Sequence, residues 1–190
     1  MQGVEAVSYP GFEDAIRRVV TGDDADGKSV VIIDGGPGAA MAEAGLGGLL
    51  DIWADTHGPL DPKDHTPADL EPVNLHPPKG GVKVRWFVIE PTPPGVPKEI
   101  LDKATREAFG RFHAADAIID QSRASGMHET HSIDVICLIK GEASLILEDD
   151  ERRLKPGNIV IQRATNHAWI AHGGPALFLA VLIDREVVRR

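Results

Sequence analysis

Residues 127–169 read MHETHSIDVICLIKGEASLILEDDERRLKPGNIVIQRATNHAW, and this stretch decides the reading of the chain. His128, Asp134 and His167 fall on strand-like segments separated by turns. That distribution lets them converge inside a β-barrel, where two imidazoles and a carboxylate make a site for a divalent metal. In a strand alternate side chains share a face, so His128, Thr130, Ser132 and Asp134 point one way and Glu129, His131 and Ile133 the other. His131 is therefore the weaker ligand candidate and joins the set only if a bulge re-aims it.

The flanking pattern is all-β. Residues 135–139 are apolar on both faces, and Lys140-Gly141 closes the run as a turn would. A second run at 143–147 precedes the acidic Glu148-Asp149-Asp150-Glu151, which reads as the solvated tip of a hairpin. Lys155-Pro156-Gly157-Asn158 is a further turn, leading into a strand at 159–162. His167 and Trp169 share a face of the next short strand, and 176–183 is a final apolar one. Short strands at this spacing predict a sandwich or barrel. On the strand after Asp134, Ile136 and Leu138 face the lumen while Val135, Cys137 and Ile139 face outward. The outer face thus needs a cover, either from the N-terminal strands or from a second subunit.

These residues resemble the cupin superfamily, whose first motif is G-x5-H-x-H-x3-4-E-x6-G and whose second runs through P-x-G-x-x-H. His128 takes the first histidine position, Thr130 the second and Asp134 the acidic one, with Gly141 after the expected six residues. In the second motif Gly157 is the turn glycine, Gln162 stands in the proline position, Ala164 in the glycine position, and His167 keeps the ligand position. The chain looks similar to single-barrel cupins with an H-x-T-x3-D first motif and a VQRGTNHAW-like second one, a subgroup that includes cupins of fungal polyketide clusters. Residues 17–31 also match that subgroup's upstream hairpin. The resemblance implies a double-stranded β-helix or jelly-roll barrel, all-β with one or two short helices and an N-terminal β extension. It further implies a single domain over residues 1–190, with N-terminal strands and loops at 1–97, a helical insert at 98–124 and the core motifs at 125–185.

By the same resemblance the chain is a small-molecule cupin. The first reading is a metal-dependent enzyme, dioxygenase- or decarboxylase-like, acting on a small organic acid or an aromatic, polyketide-like compound. Threonine is a poor ligand for soft divalent metals, so His128, Asp134 and His167 remain, a set that suits iron(II) and also accepts manganese, nickel or zinc. Thr130, Ile136, Leu138, Gln162, Trp169 and Arg85 are the expected pocket residues. Arg85 or Arg163 would clasp a substrate carboxylate through paired donors, against a bland reading of each as a surface salt bridge. Trp169 is weighed the same way, stacking platform against core filler. The competing reading is a sensing or sequestering cupin without metal, in which the three groups hydrogen-bond to each other or to the ligand.

Composition agrees with an ordinary globular chain of one domain: 190 residues, 42% apolar and 26% charged. A formal net charge of −9 disfavours nucleic-acid and anionic-membrane partners, which need a basic surface. No run reaches the roughly 18 apolar residues of a membrane helix, and the acidic start MQGVEAVSYPGFEDA lacks a signal-peptide core. A cytoplasmic homodimer is the expectation. The lone Cys137 reads as small filler in an apolar strand.

Upstream, residues 16–21 and 29–34 read as a hairpin around the polar turn 22–28. The glycine- and alanine-rich 35–48 reads as a loop of uncertain structure, 49–54 as a strand and 55–81 as an irregular surface excursion. Residues 82–90 form a clear strand, and 98–112 have helical spacing with Pro97 at the start.

Two motifs mislead. Residues 22–29, GDDADGKS, satisfy G-x4-G-K-[ST], yet the run that follows is β-branched rather than helical and three aspartates sit in the loop, so no phosphate site is expected. His128-Glu129-Thr130-His131 is one residue short of a zinc-protease motif. His57, His65, His76, His113 and His172 read as loop or near-surface residues.

Overall fold

The structure, a computed structural model, describes Tyr9 and residues 11–188. Most of the acidic start, residues 1–8 and 10, lies outside the described residues. The elements are β1 (Arg18–Asp23), β2 (Ser29–Gly35), β3 (Ala39–Glu43), β4 (Gly47–Asp55), β5 (Val82–Ile89), α1 (Lys98–Arg111), a 3-10 turn (Ala115–Ala117), β6 (Ser132–Leu147), β7 (Glu151–Leu154), β8 (Ile159–Arg163) and β9 (His167–Asp184). The protein is predominantly β, folded as a jelly-roll barrel.

Two long strands make the barrel. β6 and β9 pair antiparallel along nearly their whole length, with register breaks between Leu138 and Lys140 and between Lys140 and Glu142 that bend the pair. Before the bend β6 also pairs with β8, and beyond it with β7, so β6 changes its outer neighbour where it bends. Gly141 sits at the bend with φ +85°, and a Cβ there would lie 2.6 Å from the Pro175 carbonyl oxygen. Only glycine fits both demands. The expected turn at Lys140-Gly141 is thus a bend within one continuous strand, and the two strands expected at 167–169 and 176–183 are halves of β9. β3, β4, β5 and β9 continue the sheet in that order.

Upstream of β5 the outcome is mixed. β1 and β2 form the expected hairpin, a two-stranded sheet of its own. At its tip Asp24 Oδ1 accepts from the Asp26 and Lys28 amides, so the phosphate-loop look-alike is a β-turn closed on itself. The glycine-rich loop expected at 35–48 contains β3 and the first residues of β4, because Gly47 lets β4 approach β5 at a distance no Cβ would allow and Gly48 eases its close packing on β3. The excursion at 55–81 is irregular as expected, but not all surface. Leu70, Val73 and Leu75 are buried against Ala108 of α1 and Phe112 just past its end.

Strand alternation sorts the faces. Inside, Phe87, Ile136, Leu138, Leu145, Leu154, Phe178 and Leu182 form the barrel core. Outside, Leu50, Trp86, Val88 and Leu177 are covered by Tyr9, Phe12 and Ile16. The cover expected from the N-terminal strands therefore comes, over β4, β5 and β9, from the segment just before β1. Over β8 the outer face is open: Ile159 and Ile161 are 63% and 55% exposed. Among the described residues no helix is long and apolar enough to cross a membrane.

Candidate functional site

A cavity of about 190 Å³ lies inside the barrel. Leu49 of β4, Arg85 and Phe87 of β5, Asp134 and Ile136 of β6, and His167 and Trp169 of β9 line it. His128 and Thr130 reach it from the segment ahead of β6, and Leu101, Thr105 and Phe109 close it from α1. Parity explains the set: Arg85 and Phe87 share one face of β5, Asp134 and Ile136 one face of β6, and His167 and Trp169 one face of β9. His131, on the opposite parity, is exposed.

His128 and His167 meet at one wall, bridged backbone to backbone. Their ring centroids are 4.3 Å apart. His128 Nδ1 lies 2.8 Å from the Gly126 carbonyl oxygen and His167 Nδ1 lies 2.9 Å from that of Thr165. Because a carbonyl only accepts, each Nδ1 carries the proton and each Nε2 keeps its lone pair. Burial pushes His128 down to about 4 and His167 down to about 3, with His128 adding to the effect on His167. Both rings are neutral at pH 7. Phe109 packs edge-on to His128 at 4.7 Å, and Trp169 stands edge-on to His167 at 5.7 Å while packing on Phe178 at 5.0 Å.

Asp134 lines the same cavity. Burial raises its pKa to about 6, against the pull of the Ser132 hydroxyl, the Arg85 charge and the Thr130 hydroxyl. The histidine nitrogens suit a divalent metal, being neutral, tautomerically fixed and backed by carbonyls. The complete set does not. Among the described residues no group of three or more His, Cys, Asp or Glu side chains is arranged to hold a metal ion. The fold thus brings the three expected ligands to one cavity, two of them as a close pair, without forming a three-donor site.

Of the expected pocket residues, Thr130, Ile136, Trp169 and Arg85 line the cavity. Leu138 and Gln162 do not. Leu138 is sealed in the barrel core, and the Gln162 amide donates to the Thr165 carbonyl and hydroxyl, tying the turn before His167. Trp169 is both wall and core. Cys137, half-buried, sits on the outer face rather than in the core. Arg163 is exposed. Arg85 is no surface salt bridge: only 1% exposed, it pairs with Asp51 at 2.8 Å and donates to the Leu75 and Asn74 carbonyls. Lys83 joins the same group, 3.5 Å from Asp51 and donating to the Asn74 carbonyl. Sequence reasoning missed Asp51, Phe87 and Phe109. The signal was there for Asp51, since Lys83 and Arg85 alternate on the inward face of a strand and buried cations require a carboxylate.

No family model matches the chain. Among curated proteins, phomopsin biosynthesis cluster protein C' of Diaporthe leptostromiformis is 48% identical over 44 residues, 23% of each chain. The cupin-domain-containing oxidoreductase fogC of Aspergillus ruber is 38% identical over 65 residues, 32% of each. The barrel and the cupin-domain relatives support the cupin superfamily. The matches span about a quarter to a third of these relatives' length. A cupin 2 domain-containing protein from Halorhodospira halophila superposes with a TM-score of 0.40 at 16% identity, over 91% of this chain and 83% of that one. In this jelly-roll barrel the histidine pair, Arg85 and Asp134 line one cavity, and Asp51 and Lys83 are buried with Arg85.

Proposed function

We propose that this chain is a small-molecule cupin that takes a compact, largely apolar ring compound into the barrel cavity. The observation that carries the reading is the cavity itself: a partly open, largely apolar space walled by Leu49, Phe87, Phe109, Ile136 and Trp169, with a few convergent polar groups. The histidines fit a binding role. With pKa values near 4 and 3 they are weak bases at neutral pH, far from the range that favours general-base catalysis, but good hydrogen-bond acceptors.

One observation favours a second reading, the metal-dependent oxygenase or decarboxylase: two Nε2 lone pairs are free at one wall. The printed names of two curated relatives, cupin-domain-containing oxidoreductases, point the same way. It requires Asp134 to turn towards the histidines. Elemental analysis of untagged protein, followed by titration with iron(II), manganese, nickel and zinc, separates the two. Metal-free protein that still binds ring compounds supports the first reading. Stoichiometric metal with submicromolar affinity, lost in Asp134→Ala, supports the second. The narrower H-x-T-x3-D subgroup and a cytoplasmic setting belong to the same proposal. So does a homodimer, formed through the apolar outer face of Ile159, Ile161, Val135 and Val181, which share one side of paired strands.

A further inference from the structure

Two orphaned polar atoms mark the cavity floor. Arg85 Nε and Asp134 Oδ1 are each buried with no hydrogen-bond partner, on side chains that both line the cavity. Arg85 and Asp134 are 1% and 4% exposed. One atom only donates and the other, on the carboxylate, only accepts. Buried groups of this kind are almost always satisfied in folded proteins, so the pair points to a guest that completes it.

Resting on the pocket reading above, we propose that Arg85 and Asp134 together recognise a neutral hydroxyl group on a single-ring guest of the phenol class, the hydroxyl oxygen accepting from Arg85 Nε–H and its proton donated to Asp134 Oδ1. A hydroxyl both accepts and donates at one atom. A carboxylate or ketone only accepts, and an ammonium only donates. Charge decides against an anion as well. Lys83 and Arg85 are buried together with Asp51 and Asp134, so the four charges balance and a guest carboxylate beside Arg85 and Asp134 would enter as an uncompensated buried charge. The rest of the Arg85 guanidinium is already engaged by Asp51, Leu75 and Asn74, leaving no fork for a carboxylate. This revises the expectation that Arg85 clasps a substrate acid. Size sets the ring count: an engineered apolar cavity of about 150 Å³ holds benzene, and this one, at about 190 Å³, leaves room for one ring with its hydroxyl and a small substituent.

The test is calorimetric titration of metal-stripped protein with phenol, toluene and benzoate, on the wild type and on Asp134→Leu. Phenol is expected to bind at least ten-fold more tightly than toluene, benzoate more weakly than either, and the phenol preference to shrink to within two-fold in the variant. Toluene equal to phenol, benzoate tightest of the three, or an unchanged preference in the variant overturns hydroxyl recognition and leaves the pocket reading standing. No binding of any of the three at millimolar concentration overturns the pocket reading itself. If Asp134→Leu does not fold, the order of the three probes on the wild type decides.

Discussion

His128 and His167 exchange both backbone hydrogen bonds, each amide donating to the other residue's carbonyl oxygen at 2.9 Å. Directly opposed residues in an antiparallel pair project to the same side, so the backbone alone brings the two rings together. Their proximity needs no ion to explain it, so it should not depend on one. Circular dichroism and thermal melting of chelator-treated protein are expected to match those of the untreated protein; unfolding on metal removal would contradict this.

Acid should destabilise the protein before most carboxylates titrate. His128 and His167 have folded pKa values near 4 and 3, below the unfolded value of 6.5, so the unfolded chain holds more protons between these limits and stability falls as pH drops through that window. His76, held down mainly by burial, acts in the same sense. Asp134 acts oppositely, since its pKa near 6 exceeds the unfolded value and its contribution is lost as pH rises through 6. The histidines outnumber it. Around pH 5 the net uptake on unfolding is at least one proton, worth about 1.4 kcal/mol per pH unit. Urea midpoints of metal-stripped protein at pH 7.5, 6 and 5 should fall in that order, and a flat or rising series would contradict the assignment.

Removing Asp51 strands two buried cations. Asp51→Ala is expected to cost about 3–5 kcal/mol by denaturant titration, as for other broken buried ion pairs. Combining Asp51→Leu with Lys83→Met and Arg85→Met should recover much of that loss, because no member of the group is then left as a buried unpaired charge.

At the bend, Gly141→Ala meets an unfavourable φ and the Pro175 carbonyl at once. A loss of about 2 kcal/mol or more is expected. Gly157→Ala is the control, since its φ of +87° carries the same conformational penalty with open space around it. It should cost less.

For the outer face, Ile161→Glu should convert a two-copy particle into a one-copy particle in sedimentation velocity while leaving the melting profile cooperative. A wild type that sediments as a single copy at micromolar concentration contradicts the dimer.

Much of the barrel can be read in the sequence because alternation is local. Thr130, Asp134 and Ile136 fall on one parity, and so do His167 and Trp169, with no knowledge of pairing partners. The bend was hidden for the opposite reason: Lys140-Gly141 looks like a turn, and only the distant Pro175 carbonyl shows why glycine is needed inside a continuous strand. Spacing picks out Arg85 as a pocket residue but not its partner, since Asp51 lies far upstream and enters through pairing of β4 with β5. Asp134 shows the limit of spacing arguments. Parity delivers a side chain to a cavity, but which neighbour it then turns to depends on Ser132, Thr130 and Arg85 around it.

The mutually balanced buried charges have an outcome for solution behaviour. Dissolved ions weaken attractions between groups that water can reach, and much less those sealed inside. Lys83, Arg85, Asp51 and Asp134 are all buried and sum to nothing when ionised. Such an interior makes what these charges contribute to stability almost the same in a dilute buffer and in a brine.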